Sequence, residues 1–212
     1  IISFSIANFQ TKPHLWAFLT TSLLLSLLSA IVSVRYKLQK NSLEVLASVD
    51  PLTGAYNRRI MKQEMLLAVE ENSRKGTQMA AILMDLDHFK TFNDRFGHEI
   101  GDDILTNFSK MVLNITRKND KFFRYGGEEF LMLVKNSSLE EAKAIAEKIR
   151  IASENSGFCE SDTVTVSLGV AMLQTGETSE QWVSRADKAM YRSKALGRNQ
   201  VSTFTEELNV TL

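Results

Sequence analysis

The stretch FFRYGGEEFLMLV, Phe122 to Val134, decides the fold. Two short aromatic and aliphatic runs, Phe122 to Tyr125 and Glu129 to Val134, flank the pair Gly126-Gly127. Such runs read as strands. A glycine pair between them marks a tight hairpin, because the turn demands the positive φ that strains other residues. Working outward, Met79 to Leu86 (MAAILMDL) is a continuous apolar run, the pattern of a strand buried on both faces. Helical periodicity is expected from about Asn57 to Lys75, from near His88, and from about Ile100 to Thr116. It returns from Leu139 to Ala152 and from Glu180 to Leu196. Thr163 to Met172 and Gln200 to Phe204 read as the last strands, and Asp50-Pro51-Leu52-Thr53-Gly54 as a turn with Asp50 capping the following helix. The order βααββαβαβ, with a hairpin in its middle, fits an α/β fold. Its central mixed, mostly antiparallel sheet is flanked by helices, not doubly wound.

The 212 residues suit one core plus an appendage. Basic and acidic residues balance at 25 each, which argues against a nucleic-acid partner held through phosphates. A single cysteine, Cys159, excludes an internal disulfide framework, and with three scattered histidines it excludes a zinc cluster of ordinary spacing.

Charge is unevenly spread: before Arg35 only Lys12 carries any. Leu15 to Val34 is an uncharged run of the length that crosses a bilayer as a helix. Its Ser and Thr hydroxyls can return to the helix backbone. Arg35, Lys37 and Lys40 follow at once, which places the C-terminal part on the cytoplasmic side. A signal peptide would carry its basic residues before a shorter run. A soluble buried helix would keep a polar face. The expected map is an extracytoplasmic remnant at 1–14, a transmembrane helix at 15–34, a linker helix at 35–50, a catalytic domain at 51–205 and a tail at 206–212. Leu38, Val45, Val49 and Leu52 in the linker suit a short coiled coil or a plain amphipathic helix. A chain that opens on Ile1 is expected to continue a longer protein.

Acids crowd two places: Asp85 and Asp87 at the end of the first strand, Glu128 and Glu129 beside the glycine pair. Carboxylates next to buried strands repel and are costly to desolvate unless a cation joins them. Paired strands lie about 4.8 Å apart, so Asp85 and Glu128 could share one ion. Oxygen ligands select Mg²⁺ or Mn²⁺, which generally travel with phosphates. The alternative is that these acids are solvated strand ends. Phe89-Lys90 open a helix whose free N–H groups and lysine can hold phosphate oxygens. Lys194 and Arg198, one helical turn apart, suit phosphate equally or simply complement a helix end.

The run RYGGEEF (Arg124 to Phe130) resembles the signature of the GGDEF family of diguanylate cyclases in its Glu-containing form. DPLTGAYNRR (Asp50 to Arg59) is similar to the family's opening motif. MDLDHFKTFNDRFGHEIGDDIL (Met84 to Leu105) is similar to its metal and nucleotide segment. TVSLGVA (Thr165 to Ala171) and ADKAMYRSKALGRN (Ala186 to Asn199) are similar to its closing motifs. The resemblance implies a nucleotidyl-cyclase, palm-like fold. It also implies condensation of two GTP to cyclic di-GMP and two pyrophosphates by a homodimer, which the apolar run would anchor at the inner membrane. It implies Asp85 and Glu128 as ligands of Mg²⁺ or Mn²⁺ with the Leu86 carbonyl, and Glu129 as a proton acceptor or second-metal ligand. Asn93 and Asp102 would read guanine; Phe89, Lys90, Lys194 and Arg198 would hold phosphates; Gly126 and Gly127 would let the nucleotide lie against the hairpin. RKND (Arg117 to Asp120) matches the family's product-inhibition site through Arg117 and Asp120, with Lys148 or Arg150 as the further basic residue. The alternative is a silent receptor module that binds GTP or cyclic di-GMP, and a third reading is a nucleotide cyclase of other base specificity.

Overall fold

The computed structural model describes residues 13–46, 48–117, 119–158 and 162–205. Most of the expected remnant at 1–14, the tail at 206–212, Lys118 and Cys159 lie outside the described residues. The chain divides into two units, the second beginning at Ser48.

The first unit is one helix, α1 (Pro13–Leu46). It starts at a proline, whose fixed φ and missing N–H suit a first helical turn. Its hydroxyls return to the backbone: Thr20 and Thr21 donate to the Ala17 carbonyl at 3.0 and 2.9 Å, and Ser26 to the Leu23 carbonyl at 2.8 Å. Trp16–Lys37 is a 22-residue stretch apolar and long enough to cross a membrane. Within the unit, Leu23, Leu24 and Leu25 lie 64–69% exposed, so the cylinder presents apolar surface on every side.

The second unit runs α2 (Arg58–Lys75), β1 (Met79–Leu86), α3 (Phe89–Phe96), α4 (His98–Ile115), β2 (Lys121–Gly126) and β3 (Glu129–Lys135). It continues with α5 (Leu139–Glu154), β4 (Val166–Met172), α6 (Ser179–Ala195) and β5 (Val201–Thr203). The five strands stand in the order β2-β3-β1-β4-β5. All neighbours pair antiparallel except β4 with β5. This is the mixed, mostly antiparallel sheet flanked by helices that the pattern predicts.

Every residue of β1 is buried, because β1 sits mid-sheet with helices on both faces. Alternation along the strand divides it. Ala80, Ile82, Met84 and Leu86 join Phe108, Phe130 and Ile149 in one core, under α3, α4 and α5. Met79, Ala81 and Leu83 join Leu131, Leu133, Trp182 and Met190 in a second core, under α2 and α6. Asp85 continues that second alternation and therefore points toward α6. Full burial of each such side chain contributes roughly 1.5–3 kcal/mol.

Gly169 in β4 has a packing reason. A Cβ there would lie 2.1 Å from the Ala186 carbonyl oxygen and 2.2 Å from the Met190 nitrogen. Only glycine lets α6 settle this close to the sheet, and α6 carries Lys194.

Two local expectations change. Helix α2 is capped by Asn57, whose side chain accepts from the Ile60 N–H at 3.1 Å; Asp50 instead caps its own turn, accepting from the Thr53 N–H at 2.9 Å. A helix needs the cap next to its first turn, and Asp50 lies too far upstream. In the hairpin only Gly127 has positive φ, at 50°. Gly126 ends β2 opposite Glu129, after a register shift that leaves Tyr125 as the extra, bulged residue.

Candidate functional site

The site forms where β1 ends. Asp85 pairs with Glu129 across β1 and β3 in direct register, and the Leu86 N–H donates to the Glu128 carbonyl at 3.4 Å. Register thus seats both glutamates beside Asp85. The closer backbone partner of Asp85 is Glu129, while Glu128 occupies the two-residue turn with Gly127. Lys194 reaches in from α6, its Nζ 2.7 Å from Asp85 Oδ2. Burial pushes the Asp85 carboxyl above the usual range; the Lys194 bond and charge oppose this, and Glu128 and Asp87 add repulsion. Burial also pushes the Glu129 carboxyl up, and the Asp85 charge adds to the shift. Burial and the mutual repulsion of neighbouring carboxylates thus act in the same direction on both acids. The Lys194 ammonium is the positive group in contact with Asp85. Among the described residues no three His, Cys, Asp or Glu side chains are already arranged as a metal cage.

Asp87 has a different job from Asp85. It is buried, and its carboxylate accepts from the Thr165 hydroxyl at 2.8 Å, the Ser167 hydroxyl at 2.7 Å and the Asn199 N–H at 3.0 Å. It ties the end of β1 to β4 and to the loop after α6. Sequence reasoning grouped it with Asp85; the signal that separates them is the end of the strand at Leu86.

Arg198 lies beyond the end of α6, not one helical turn from Lys194. The helix stops at Ala195 because Gly197, Arg198 and Asn199 all take positive φ, at 112°, 65° and 44°. The Asp87–Asn199 bond holds this left-handed loop, so Arg198 is presented by a strained segment and not by a helix face.

On the other side of β1, α3 begins at Phe89 after His88, which has φ 57° and gives no side-chain cap. The first-turn N–H groups beside buried Phe89 and exposed Lys90 are thus left for an anion. Asn93 carries a buried Oδ1 with no hydrogen-bond partner. Gly101 of α4 makes room for it: a Cβ there would lie 1.9 Å from that oxygen. Asp102 follows, exposed, in the same helix. An orphaned acceptor beside an exposed carboxylate suits a ligand edge that offers several donors.

Arg117 and Asp120 lie at the other end of β2, about five strand residues or 17 Å from the turn. The Arg117 N–H donates to Asp120 Oδ2 at 3.3 Å, and the Asp120 N–H to the Arg117 carbonyl at 3.0 Å. Asp120 is buried and its carboxyl raised by that burial, whereas Arg117 is exposed. Arg150 bonds Glu147, Glu154 and Asn199, at 2.8, 3.0 and 3.0 Å. Lys148 is exposed. A separate cleft of about 470 Å³ between α2 and α6, lined by Arg58, Tyr125 and Asp187, contains none of the expected site residues.

Comparison with known proteins agrees with this arrangement. Residues 47–200 match the family described as "Diguanylate cyclase, GGDEF domain". The chain is 41% identical over 167 residues to the response regulator PleD of Caulobacter vibrioides, covering 76% of this chain and 37% of PleD. It is 35% identical over 172 residues to the diguanylate cyclase VdcA of Vibrio cholerae, covering 78% of this chain and 48% of VdcA. The chain therefore spans less than half the length of these two relatives. Among solved structures it is similar to the GGDEF domain of DgcB from Caulobacter crescentus, determined in complex with c-di-GMP. That match has a TM-score of 0.70 and 32% identity, and covers 74% of this chain and 95% of that one. On the sheet order, the signature turn and the match over 47–200, the chain belongs to the GGDEF domain family of diguanylate cyclases.

Proposed function

We propose that the chain is a membrane-anchored diguanylate cyclase that condenses two GTP to cyclic di-GMP and two pyrophosphates. Each 3′-hydroxyl attacks the α-phosphorus of the other nucleotide. One domain holds one GTP, so two copies work face to face as a homodimer. The observation that carries the reading is the seating of Asp85 beside Glu129 and the Glu128 turn, with Lys194 on Asp85.

This oxygen-rich donor set fits Mg²⁺ or Mn²⁺ held by Asp85, Glu128 and the Leu86 carbonyl. Bound there, the ion supplies Lewis acidity at the α-phosphate and lowers the pKa of the attacking hydroxyl. The chain's own residues do the rest. Lys194, which lies against Asp85, and Arg198 would hold the outer phosphates. The Phe89 and Lys90 N–H groups and the Lys90 ammonium hold phosphate oxygens. Asn93 Oδ1 and Asp102 accept from guanine N1–H and N2–H₂, donors that adenine does not offer. Glu129, whose place beside Asp85 is set by strand register, takes a proton from the attacking hydroxyl or holds a second ion. Gly126 and Gly127 keep the hairpin low enough for the nucleotide to lie against it. Arg117 and Asp120 form the product-inhibition site. Lys148 is its further basic residue, because Arg150 is engaged elsewhere.

With this reading goes a map of a span at 15–34, a linker expected as helix over 35–50 and a catalytic domain at 51–205; the helix itself stops at Leu46, and Ser48 to Asp50 already belong to the second unit. The basic residues Arg35, Lys37 and Lys40 orient that domain to the cytoplasm of a bacterial inner membrane. The balanced charge gives no hold on nucleic acid.

The test is the full chain in detergent with GTP and Mg²⁺. Cyclic di-GMP and pyrophosphate should appear as one to two, and Glu128→Ala should lower the rate about a hundredfold or more. Product binding without turnover would make the chain a receptor, and ATP consumption would overturn the base specificity. In the same assay Arg117→Ala should leave turnover intact and weaken product inhibition; unchanged inhibition removes that assignment.

A further inference from the structure

We infer that Arg124 is a positioning residue for the signature turn, braced from behind by Asp50. The inference deepens the cyclase reading and rests on it. Arg124 lies two residues before the glycine pair, and its guanidinium is engaged on all three nitrogens. Nε and Nη2 donate to the Gly127 carbonyl at 3.0 and 2.9 Å, and Nη1 donates to Asp50 Oδ1 at 3.0 Å. Both side chains of the ion pair are less than one-fifth exposed.

The acceptor matters most. The Gly127 carbonyl belongs to the peptide plane that ends at Glu128, so holding that oxygen holds the direction in which Glu128 leaves the turn. A two-residue loop containing a glycine with nothing within 4 Å of its missing Cβ has little packing to fix it. A planar guanidinium that sets two donors on one carbonyl oxygen supplies the missing rigidity, which a lysine cannot.

Asp50 is itself immobilised. The Thr53 hydroxyl and N–H donate to it at 2.7 and 2.9 Å, and these bonds with Arg124 hold its carboxyl below the usual range despite burial. The segment behind it is stapled to the edge of β2. The Asp50 N–H donates to the Ala55 carbonyl at 2.7 Å, Tyr56 N–H to Phe122 at 2.9 Å, and Arg124 N–H to Tyr56 at 2.8 Å. The same loop reaches the guanine side. The Thr106 hydroxyl lies 3.3 Å from the Leu52 carbonyl and 2.8 Å from that of Asp102. The loop thus touches both halves of the site, and it does so with the first residues of the catalytic unit. A shift at this loop reaches Glu128 through two side chains.

The test uses the full chain in detergent with Arg124→Lys, Asp50→Asn and the double variant. Without nucleotide, amide exchange over 124–130 should speed roughly tenfold in each, while β1 exchange stays as in the wild type. With GTP, kcat should fall about tenfold with KM changed less than about threefold. The double variant should be no worse than Arg124→Lys, because the two residues act as a unit. Wild-type exchange in the turn, or additive losses in the double variant, overturns the inference. A uniform rise in exchange that includes β1 also overturns it, since it reduces Arg124 to a general stabiliser. If the wild type makes no cyclic di-GMP, the cyclase reading fails, and the exchange result still decides what Arg124 does.

Discussion

Gly169→Ala puts the link between packing and chemistry to a direct test. The added Cβ would stand 2.1 Å from the Ala186 oxygen, 2.2 Å from the Met190 nitrogen and 2.8 Å from the Met190 Cα. Ordinary contact begins near 3.4 Å, and all three atoms are backbone, so no rotamer change relieves them. Helix α6 must retreat by about 1 Å. That opens the packing of Trp182, Ala186, Ala189 and Met190, all buried. Overpacking of this kind costs about 1–3 kcal/mol, and the rigid neighbours put it at the upper end. At roughly 2–4 °C per kcal/mol, Tm should fall by about 6–12 °C. The same retreat draws Lys194 off Asp85, a bond of 2.7 Å, and a displacement of about 1 Å can cost around a hundredfold in rate. The assay is thermal unfolding of the full chain in detergent, followed by turnover at a temperature where both proteins are folded. A Tm within about 2 °C of wild type would refute the close-approach argument; a lower Tm with unchanged turnover would refute the link to Lys194.

Three further outcomes follow from the same geometry. Because burial and then Asp85 raise the Glu129 carboxyl, the folded chain holds that proton more tightly than the unfolded chain. Its contribution to stability is therefore present below the ordinary carboxyl range and lost as pH rises through the folded value. Glu129→Gln without added metal should raise Tm by a few degrees at pH 7 and leave it unchanged near pH 4; a pH-independent difference contradicts this. Gly101→Ala pushes on the movable end of Asn93, so KM for GTP should rise about tenfold with Tm within about 3 °C of wild type; unchanged KM removes Asn93 from the guanine site. The wild-type chain should sediment with membranes, and Leu24→Lys with Leu25→Lys should release it; a soluble wild type refutes the span.

The strands and helices were largely legible because their signals are strong and local. Met79–Leu86 is a strand at the predicted bounds, since eight apolar or end-placed acidic residues in the middle of a sheet leave no other reading. What failed was punctuation. Asp50 looked like a helix cap, but its side chain is used seventy-four residues away, on Arg124. Arg198 looked like a helical partner of Lys194, because nothing in a single sequence announces that Asn199 is pulled into a left-handed turn by Asp87. The acids were found as a group, but their division of labour was not. Strand register pairs Asp85 with Glu129, and the strand end turns Asp87 into a tether. Register and long-range hydrogen bonds are properties of the assembled sheet, and a list of residue types does not carry them.

The most direct measurement is titration of Mn²⁺ into the full chain in detergent, followed by electron paramagnetic resonance. The account predicts binding in the presence of a non-reacting GTP analogue that drops at least about tenfold in Asp85→Asn and in Glu128→Gln, with both variants folded. Equal Mn²⁺ affinity in the wild type and both variants would contradict it.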